Sequence, residues 1–307
     1  MTSVKQSFVS SLAAYLDKWL SPPIFILAPP RSGSTFLFEC LRRAENVLAP
    51  QQESDHVWWR LFPYRPPDFN DFVSAEKATP ENIHALRRQL LASALRVNFS
   101  GHLLAWHTLT SLLAHPHRYR LLDKTIANCF HLEFLQRAYP TGRYIFLVRD
   151  PRATISSMIE GWEHVEMMGK PQLDALIPPG SRITHWNYPA PPGWQEQTTR
   201  PLVEICAWSW RQHIEYALSF VETHPEATVW LRYEDLFTEP LKVIQKASAQ
   251  LDLRLSSVAL EYATRRPFSR TTISAPSKEK WRRIHKDEIE HVLPTIRPLA
   301  ARIGYEI

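Results

Sequence analysis

One stretch, Ile24 to Leu41, "IFILAPPRSGSTFLFECL", constrains the chain more than any other. Four consecutive apolar residues, Ile24 to Leu27, read as a buried strand. Two prolines interrupt it, and an apolar run at helical spacing follows Arg31-Ser32-Gly33-Ser34-Thr35. Strand, tight turn and helix in that order form the layout of a phosphate-cradling loop, whose backbone N–H groups and helix N-terminus face an anion. Gly33 and the Thr35 hydroxyl suit that task, while Ala28 stands where the first glycine would be. The lysine that an ATP- or GTP-binding loop carries before its hydroxyl residue is absent. Ser34 takes its place, and Arg31 lies three residues earlier. The loop is built for an anion, with a guanidinium rather than an ammonium beside it.

The rest of the chain places this loop in an alternating pattern. "RYRLLDK" predicts a short strand, "IANCFHLEFLQRAYP" a helix, "RYIFLV" (Arg143 to Val148) a buried strand, and "TVWLRYEDL" a further strand. Between and after them, Pro80 after the Thr79 cap opens a helix with Ile83, Leu86, Leu90 and Leu95 along one stripe, "LVEICAWSWRQHIEYALSFVE" predicts a long helix, and Glu239 to Leu251 another. Strands alternating with helices imply a parallel sheet with helices on both faces, a single three-layer α/β domain over residues 22–307. Residues 1–21 predict an appended amphipathic helix with Phe8, Leu12, Tyr15, Leu16 and Trp19 on one face, packed on the core, rather than a signal peptide. "NVLAPQQESDHVWWRLFPYRPPDF" reads as a short strand with an irregular segment. Residues 161–201, rich in Pro, Trp and Gly without periodicity, read as an irregular lid. Trp58, Trp59, Trp162, Trp186 and Trp194 cluster in these two irregular regions and are expected to wall an acceptor pocket.

Composition narrows the function classes. The net charge of +5 favours an anionic ligand without choosing one. Cys40, Cys129 and Cys206 are odd in number and unpaired in spacing, which predicts neither a disulfide framework nor a zinc site and favours a reducing, cytoplasmic setting. The 13 histidines lack the spacing of a helical metal site. No apolar run reaches the roughly 18 residues of a membrane span.

A second candidate anion grip lies in "FLVRDPRATISS", where Arg149 ends a strand and Ser157 falls eight residues on, in the next helix. Charge and hydroxyl from two sides can hold one phosphate. The plainer alternative pairs Arg149 with Asp150 and leaves Ser157 on a helix surface.

Together these residues resemble the sulfotransferases that use 3'-phosphoadenosine 5'-phosphosulfate (PAPS). In that family a Pro-Lys/Arg-Ser-Gly-Ser/Thr-Thr loop holds the 5'-phosphosulfate, and a strand-end Arg with a Ser eight residues later holds the 3'-phosphate. "APPRSGST", Arg149 and Ser157 match both elements. "DKTIANCFHLEFLQRAYPTGRYIFLVRDPRATISSM" and "LRYEDLFTEPL" extend the likeness from Pro23 to Leu253, with a weaker echo at "SKEKWRR". The resemblance implies that PAPS is the donor and adenosine 3',5'-bisphosphate (PAP) the product. It implies that no metal is required, because a sulfuryl group carries less charge than a transferring phosphoryl group. It implies that Arg31, Ser32, Gly33, Ser34, Thr35, Arg149, Ser157 and Tyr233 bind the cofactor, joined by Ser274, Lys278 and Trp281 of the C-terminal segment. That segment lacks the family's Arg-Lys-Gly run.

Catalysis needs a general base within about 3 Å of the acceptor hydroxyl. The resemblance places it shortly after the first helix, in "PQQESDHVWW", where Glu53 is the choice, His56 the runner-up and Asp55 a further candidate. Lys124 resembles the lysine that stabilises the sulfuryl group, the plainer alternative being a surface lysine after a strand. The expected reaction is in-line transfer to a hydroxyl, or second an amine, of a soluble small-molecule acceptor with an apolar or aromatic body. A homodimer is allowed. Two other classes are weighed. A small-molecule kinase using ATP and magnesium would take Asp123 as its metal carboxylate, but lacks the loop lysine. A nucleic-acid module would rest on "RRPFSR" and "KEKWRRIHK", with dispersed charge and no motif.

Overall fold

Five short apolar runs become the strands β1 (Ser21–Leu27), β2 (Val47–Leu48), β3 (Arg120–Asp123), β4 (Arg143–Val148) and β5 (Thr228–Arg232). The computed structural model describes residues 2–63, 69–98, 104–164, 169–268, 272–273 and 279–307, with backbone alone for 2–8, 97–98 and 104–108. Among them the sheet runs β2-β3-β1-β4-β5, every neighbouring pair parallel. Parallel pairing requires crossovers, and the chain supplies helices for them.

Alternation along each strand sorts the side chains to two faces. Phe25, Leu27, Tyr144, Phe146 and Val148 join one core cluster with Leu86 and Leu90 of α4 (Pro80–Asn98) and Ile205, Trp210 and Ile214 of the long helix Leu202–Thr223. Ile24, Ile26, Ile145, Leu147, Val229 and Leu231 join the other, with Leu37, Phe38 and Leu41 of α2 (Ser34–Leu41) and Ile244 of the helix Pro240–Gln250. The central strand β1 tolerates Pro22 and Pro23 because its pairing with β3 is irregular between Ser21 and Ile24. Beyond that point both flanking registers are regular, so the loop after Leu27 starts from a firmly held strand.

Several expectations are corrected by packing. The helix expected over "IANCFHLEFLQRAYP" divides into a 3₁₀ turn, Ile126–Phe130, and α5 (Leu132–Ala138), with a break at His131. The last predicted strand ends at Arg232, and Tyr233–Thr238 is helical. The irregular segment after β2 contains α3 (Asp55–Leu61). The helix α1 (Thr2–Leu16) buries Ala13 and Leu16 but leaves Tyr15, and Trp19 just beyond its end, more than half exposed, at 58% and 55%. It lies against α4, where Arg87 Nε bonds Asp17 Oδ2 at 2.8 Å.

The tryptophans differ most from expectation. Trp58, Trp162, Trp186 and Trp194 are core residues: Trp58 packs on His131 and Phe134, while Trp186 packs on Trp162 and Trp194, and Trp162 on Tyr188. Apolar area outweighed lid duty, and the described part of 161–201 is anchored by these rings.

Candidate active site

The loop after β1 turns twice through left-handed backbone. Arg31 has φ 66° and Gly33 φ 86°, and α2 begins at Ser34. Such a conformation is uncommon for a residue with a Cβ, and it aims successive N–H groups into one concavity. Gly33 is required twice over, because a Cβ there would stand 2.4 Å from Cδ2 of the Tyr233 ring. Ser32 is fully buried and does not line the cleft, and its Oγ has no hydrogen-bond partner among the described residues.

Beyond the carboxyl ends of the strands lies a cleft of ≈ 730 Å³. It is lined by the described residues that the resemblance singled out for binding or catalysis, Ser32 excepted: Arg31, Gly33, Ser34, Thr35, Glu53, Asp55, His56, Lys124, Arg149, Ser157, Tyr233 and Trp281. Ser274 and Lys278 lie outside the described residues.

At one end, Arg149 leaves β4 and donates from Nη1 to the Arg31 carbonyl at 2.7 Å, its guanidinium 4.4 Å from the Tyr233 ring centre. Asp150 does not pair with it. That carboxylate caps α6 (Pro151–Trp162) through the Arg152 N–H at 2.8 Å and holds the Arg152 guanidinium. Ser157 faces the cleft and accepts from Arg31 Nε at 3.2 Å. Burial holds the Arg31 guanidinium below its usual range, and the like charge of Arg149 adds to this. A doubly charged anion between them would relieve both effects. Trp281, on the helix Lys280–Ile284, is buried with Arg152 5.0 Å from its ring centre.

At the other end, Lys124 follows β3 and is buried rather than on the surface. Its Nζ donates to Glu53 Oε1 at 2.5 Å and to Thr35 Oγ1 at 3.4 Å. Glu53 Oε2 accepts the Ile126 N–H at 3.1 Å. Ser54, between Glu53 and Asp55, turns inward, its Oγ donating to Asp123 Oδ1 at 2.6 Å, and Asn128 fills Asp123 Oδ2 at 2.7 Å. Asp123 is buried, with both oxygens engaged and no face on the cleft, so the carboxylate a kinase would need for magnesium is committed to structure. Among the described residues no group of His, Cys, Asp and Glu could hold a metal ion.

Sequence reading missed the wall beside Glu53. Asp55 accepts from Lys170 Nζ at 2.6 Å, and Lys170 lies 5.0 Å from the Trp59 ring centre. Behind them Asp71 accepts from Trp59 Nε1 at 3.3 Å and from the Ala190 N–H at 2.7 Å. Burial pushes Asp71 up to about 6; burial also pulls on Lys170, but Asp55 and Asp71 together hold its ammonium above the usual range. Glu53 and Asp55 face the cleft while Ser54 between them turns into the core, and that alternation was the available signal. Lys170, more than a hundred residues away, had none. Of the three base candidates, Glu53 is held at Lys124, Asp55 at Lys170, and His56 stands exposed at the rim.

Comparison with known proteins follows the same line. Residues 22–188 match a family model described as the sulfotransferase family. The chain is 22% identical over 208 residues to the omega-hydroxy-beta-dihydromenaquinone-9 sulfotransferase Stf3 of Mycobacterium tuberculosis and of Mycobacterium bovis, covering 50% of this chain and 50% of theirs. It thus spans about half the length of the curated relatives it matches. Among solved structures, the sulfotransferase domain from the curacin biosynthetic pathway superposes with a TM-score of 0.52 at 19% identity, covering 94% of this chain and 99% of that one. Sulfotransferase STF9 from Mycobacterium avium superposes with 0.50 at 13% identity, covering 94% and 78%. At those identities the likeness is one of fold. No helix among the described residues is long and apolar enough to cross a membrane.

Proposed function

The chain belongs to the sulfotransferase family, and from that premise we propose that it transfers a sulfuryl group from PAPS to a hydroxyl of a small-molecule acceptor. The observation that carries the proposal is the convergence of two separate anion grips on one cleft: Arg31 with the turn at Gly33, and Arg149 with Ser157. The cations at these grips match the anionic ends of such a donor. When bound, the donor supplies the sulfuryl group, whose bond to the 5'-phosphate oxygen breaks as the acceptor oxygen bonds to sulfur.

The chain's own residues divide the work. Arg149 and Ser157 hold the 3'-phosphate, and the loop N–H groups with Arg31 hold the 5' side, where charge develops on the leaving oxygen. Lys124, parked on Glu53, moves its ammonium to the sulfuryl oxygens. That exchange leaves the Glu53 carboxylate, still fixed by the Ile126 N–H, to take the acceptor's proton. Tyr233 packs over the turn at Gly33 and keeps it shaped for the donor. Trp59, Ile126, Tyr188 and Pro189 line the acceptor side, which suits an apolar body bearing the hydroxyl. The Stf3 relatives, named for a hydroxylated menaquinone, support a hydroxyl rather than an amine.

The test is calorimetric titration, without metal, of PAP against ADP. Tight PAP binding with weak ADP binding is expected, and equal or absent binding sinks the proposal. Arg149→Ala should then cost about 2–5 kcal/mol of PAP affinity, as for one partner of a buried charge contact.

A further inference from the structure

The nucleotide end of the cleft contains a carboxylate for which an anion site has no evident use. Ser156, Ser157 and Glu160 all line the cleft from α6. Residues three and four apart share a helical face, so Glu160 stands one turn beyond the two serines. Its carboxylate is ion-paired with Lys280, which lines the same cleft, and the two side chains are 22% and 20% exposed. The Arg31 guanidinium also feels this carboxylate, while its Nε bonds Ser157 Oγ at 3.2 Å.

A negative group beside Ser157 and Lys280 repels a phosphate placed next to it. Its use becomes clear by comparison with the opposite end, where Lys124 is parked on Glu53. Each half of the cleft holds a mostly buried lysine on a carboxylate. Resting on the reading of the cleft as a PAPS and PAP site, we propose that Lys280 is a further ligand of the 3'-phosphate and that Glu160 is its placeholder. Glu160 occupies the ammonium in the free protein and yields it when the phosphate arrives beside Ser157. The carboxylate keeps the lysine aimed and desolvated at the cost of competing with the ligand, and so tunes how firmly the product nucleotide is held. No residue of the loop or of the Arg149 turn does this. Lys280 belongs to the helix Lys280–Ile284, the part of the chain that lacks the family's own basic run.

A rival account treats the pair as a plain fastening between two helices. Ser156 Oγ and His285 Nδ1, 2.9 Å apart, and Arg152 over Trp281 at 5.0 Å already join the same surfaces. The two accounts differ in sign. Calorimetry at fixed ionic strength would compare PAP with AMP, which lacks the 3'-phosphate. Glu160→Gln is expected to bind PAP several-fold more tightly than the wild type. Lys280→Met should bind it at least about tenfold more weakly, as for loss of a charged hydrogen bond. AMP binding should stay near the wild-type value in both. Should Lys280→Met not fold, as judged by its melting transition, Lys280→Gln carries the same expectation. Glu160→Gln binding PAP no more tightly overturns the placeholder, and an unchanged affinity in the Lys280 variant overturns its place as a ligand. A wild type that binds PAP no more tightly than AMP sinks the reading of the cleft itself, and this inference with it.

Discussion

A Cβ added at Gly161 would stand 2.1 Å from the Tyr188 hydroxyl. Tyr188 is buried beside Arg31 with φ 69°, and its hydroxyl donates to the Met158 carbonyl at 3.0 Å. Burial pushes that phenol well above its ordinary range, so it stays a donor. In most helices Gly→Ala gains about 0.5–1 kcal/mol. Here the sign should reverse, because the ring cannot keep its place: Gly161→Ala should lose about 1–3 kcal/mol, the usual cost of overpacking. Removing the obstructing oxygen leaves Cζ as the nearest atom of that ring, at 3.3 Å. The double variant Gly161→Ala/Tyr188→Phe should therefore recover most of the loss, a coupling that urea titration of the four proteins measures directly. Additive effects would mean that Tyr188 does not pack on α6 as described.

At the scale of elements, the acceptor wall depends on one carboxylate. Asp71 joins Trp59 of α3 to the Ala190 N–H, and so fixes the stretch that carries Tyr188 and Pro189 against the cleft. Its folded pKa is raised by burial to about 6 from the ordinary value of 3.8. The native state thus holds more protons than the unfolded chain between these values, and Asp71 adds stability as pH falls through that window. Asp71→Asn removes the titration. The stability gap between wild type and variant should widen by on the order of 3 kcal/mol from pH 7 to pH 4. A gap that narrows or stays level would mean that Asp71 is ionised in the fold at low pH. None of this was legible in the sequence, and the contrast with what was legible is physical. The strand-loop-helix at Ile24 to Leu41, the strand at Arg143 to Val148 and the spacing of Arg149 to Ser157 are local patterns set by strand alternation and turn chemistry, and they stand in the structure where they were read. Lys170 and Lys280 reach the cleft only through tertiary packing between distant segments. The tryptophans misled because an irregular, proline-broken segment reads as surface. Four of these rings instead bury their area in the core, and Trp59 alone of the five lines the cleft.

For the whole molecule, two buried histidines work against stability in acid. His131 lies under Trp58 with ring centres 3.9 Å apart, and His213 packs on Phe130 at 4.6 Å, its Nδ1 bonded to the Ser209 carbonyl at 2.8 Å. Burial lowers them to about 3 and about 4 from 6.5. Each is neutral in the fold and charged in the unfolded chain between those values. The stability they withdraw grows as pH falls below about 6.5, opposite in sign to Asp71. One such histidine is worth on the order of 3 kcal/mol, against a typical total of about 5–15. Burial also raises the Asp17 and Asp123 carboxyls, which act in the same sense as Asp71, so the histidine contribution is read by comparing the urea midpoint of the wild type from pH 7 to pH 4.5 with that of a histidine variant. His213→Gln keeps a polar side chain of similar reach without the titration, and its midpoint should fall less steeply over the same range. An unchanged slope would place His213 in contact with water and break the account. Since Trp58 belongs to α3, which begins two residues after Glu53, protonation under that ring loosens the acceptor wall as the core gives way. PAP binding, held by residues beyond β4 and β1, should then persist to lower pH than acceptor turnover does.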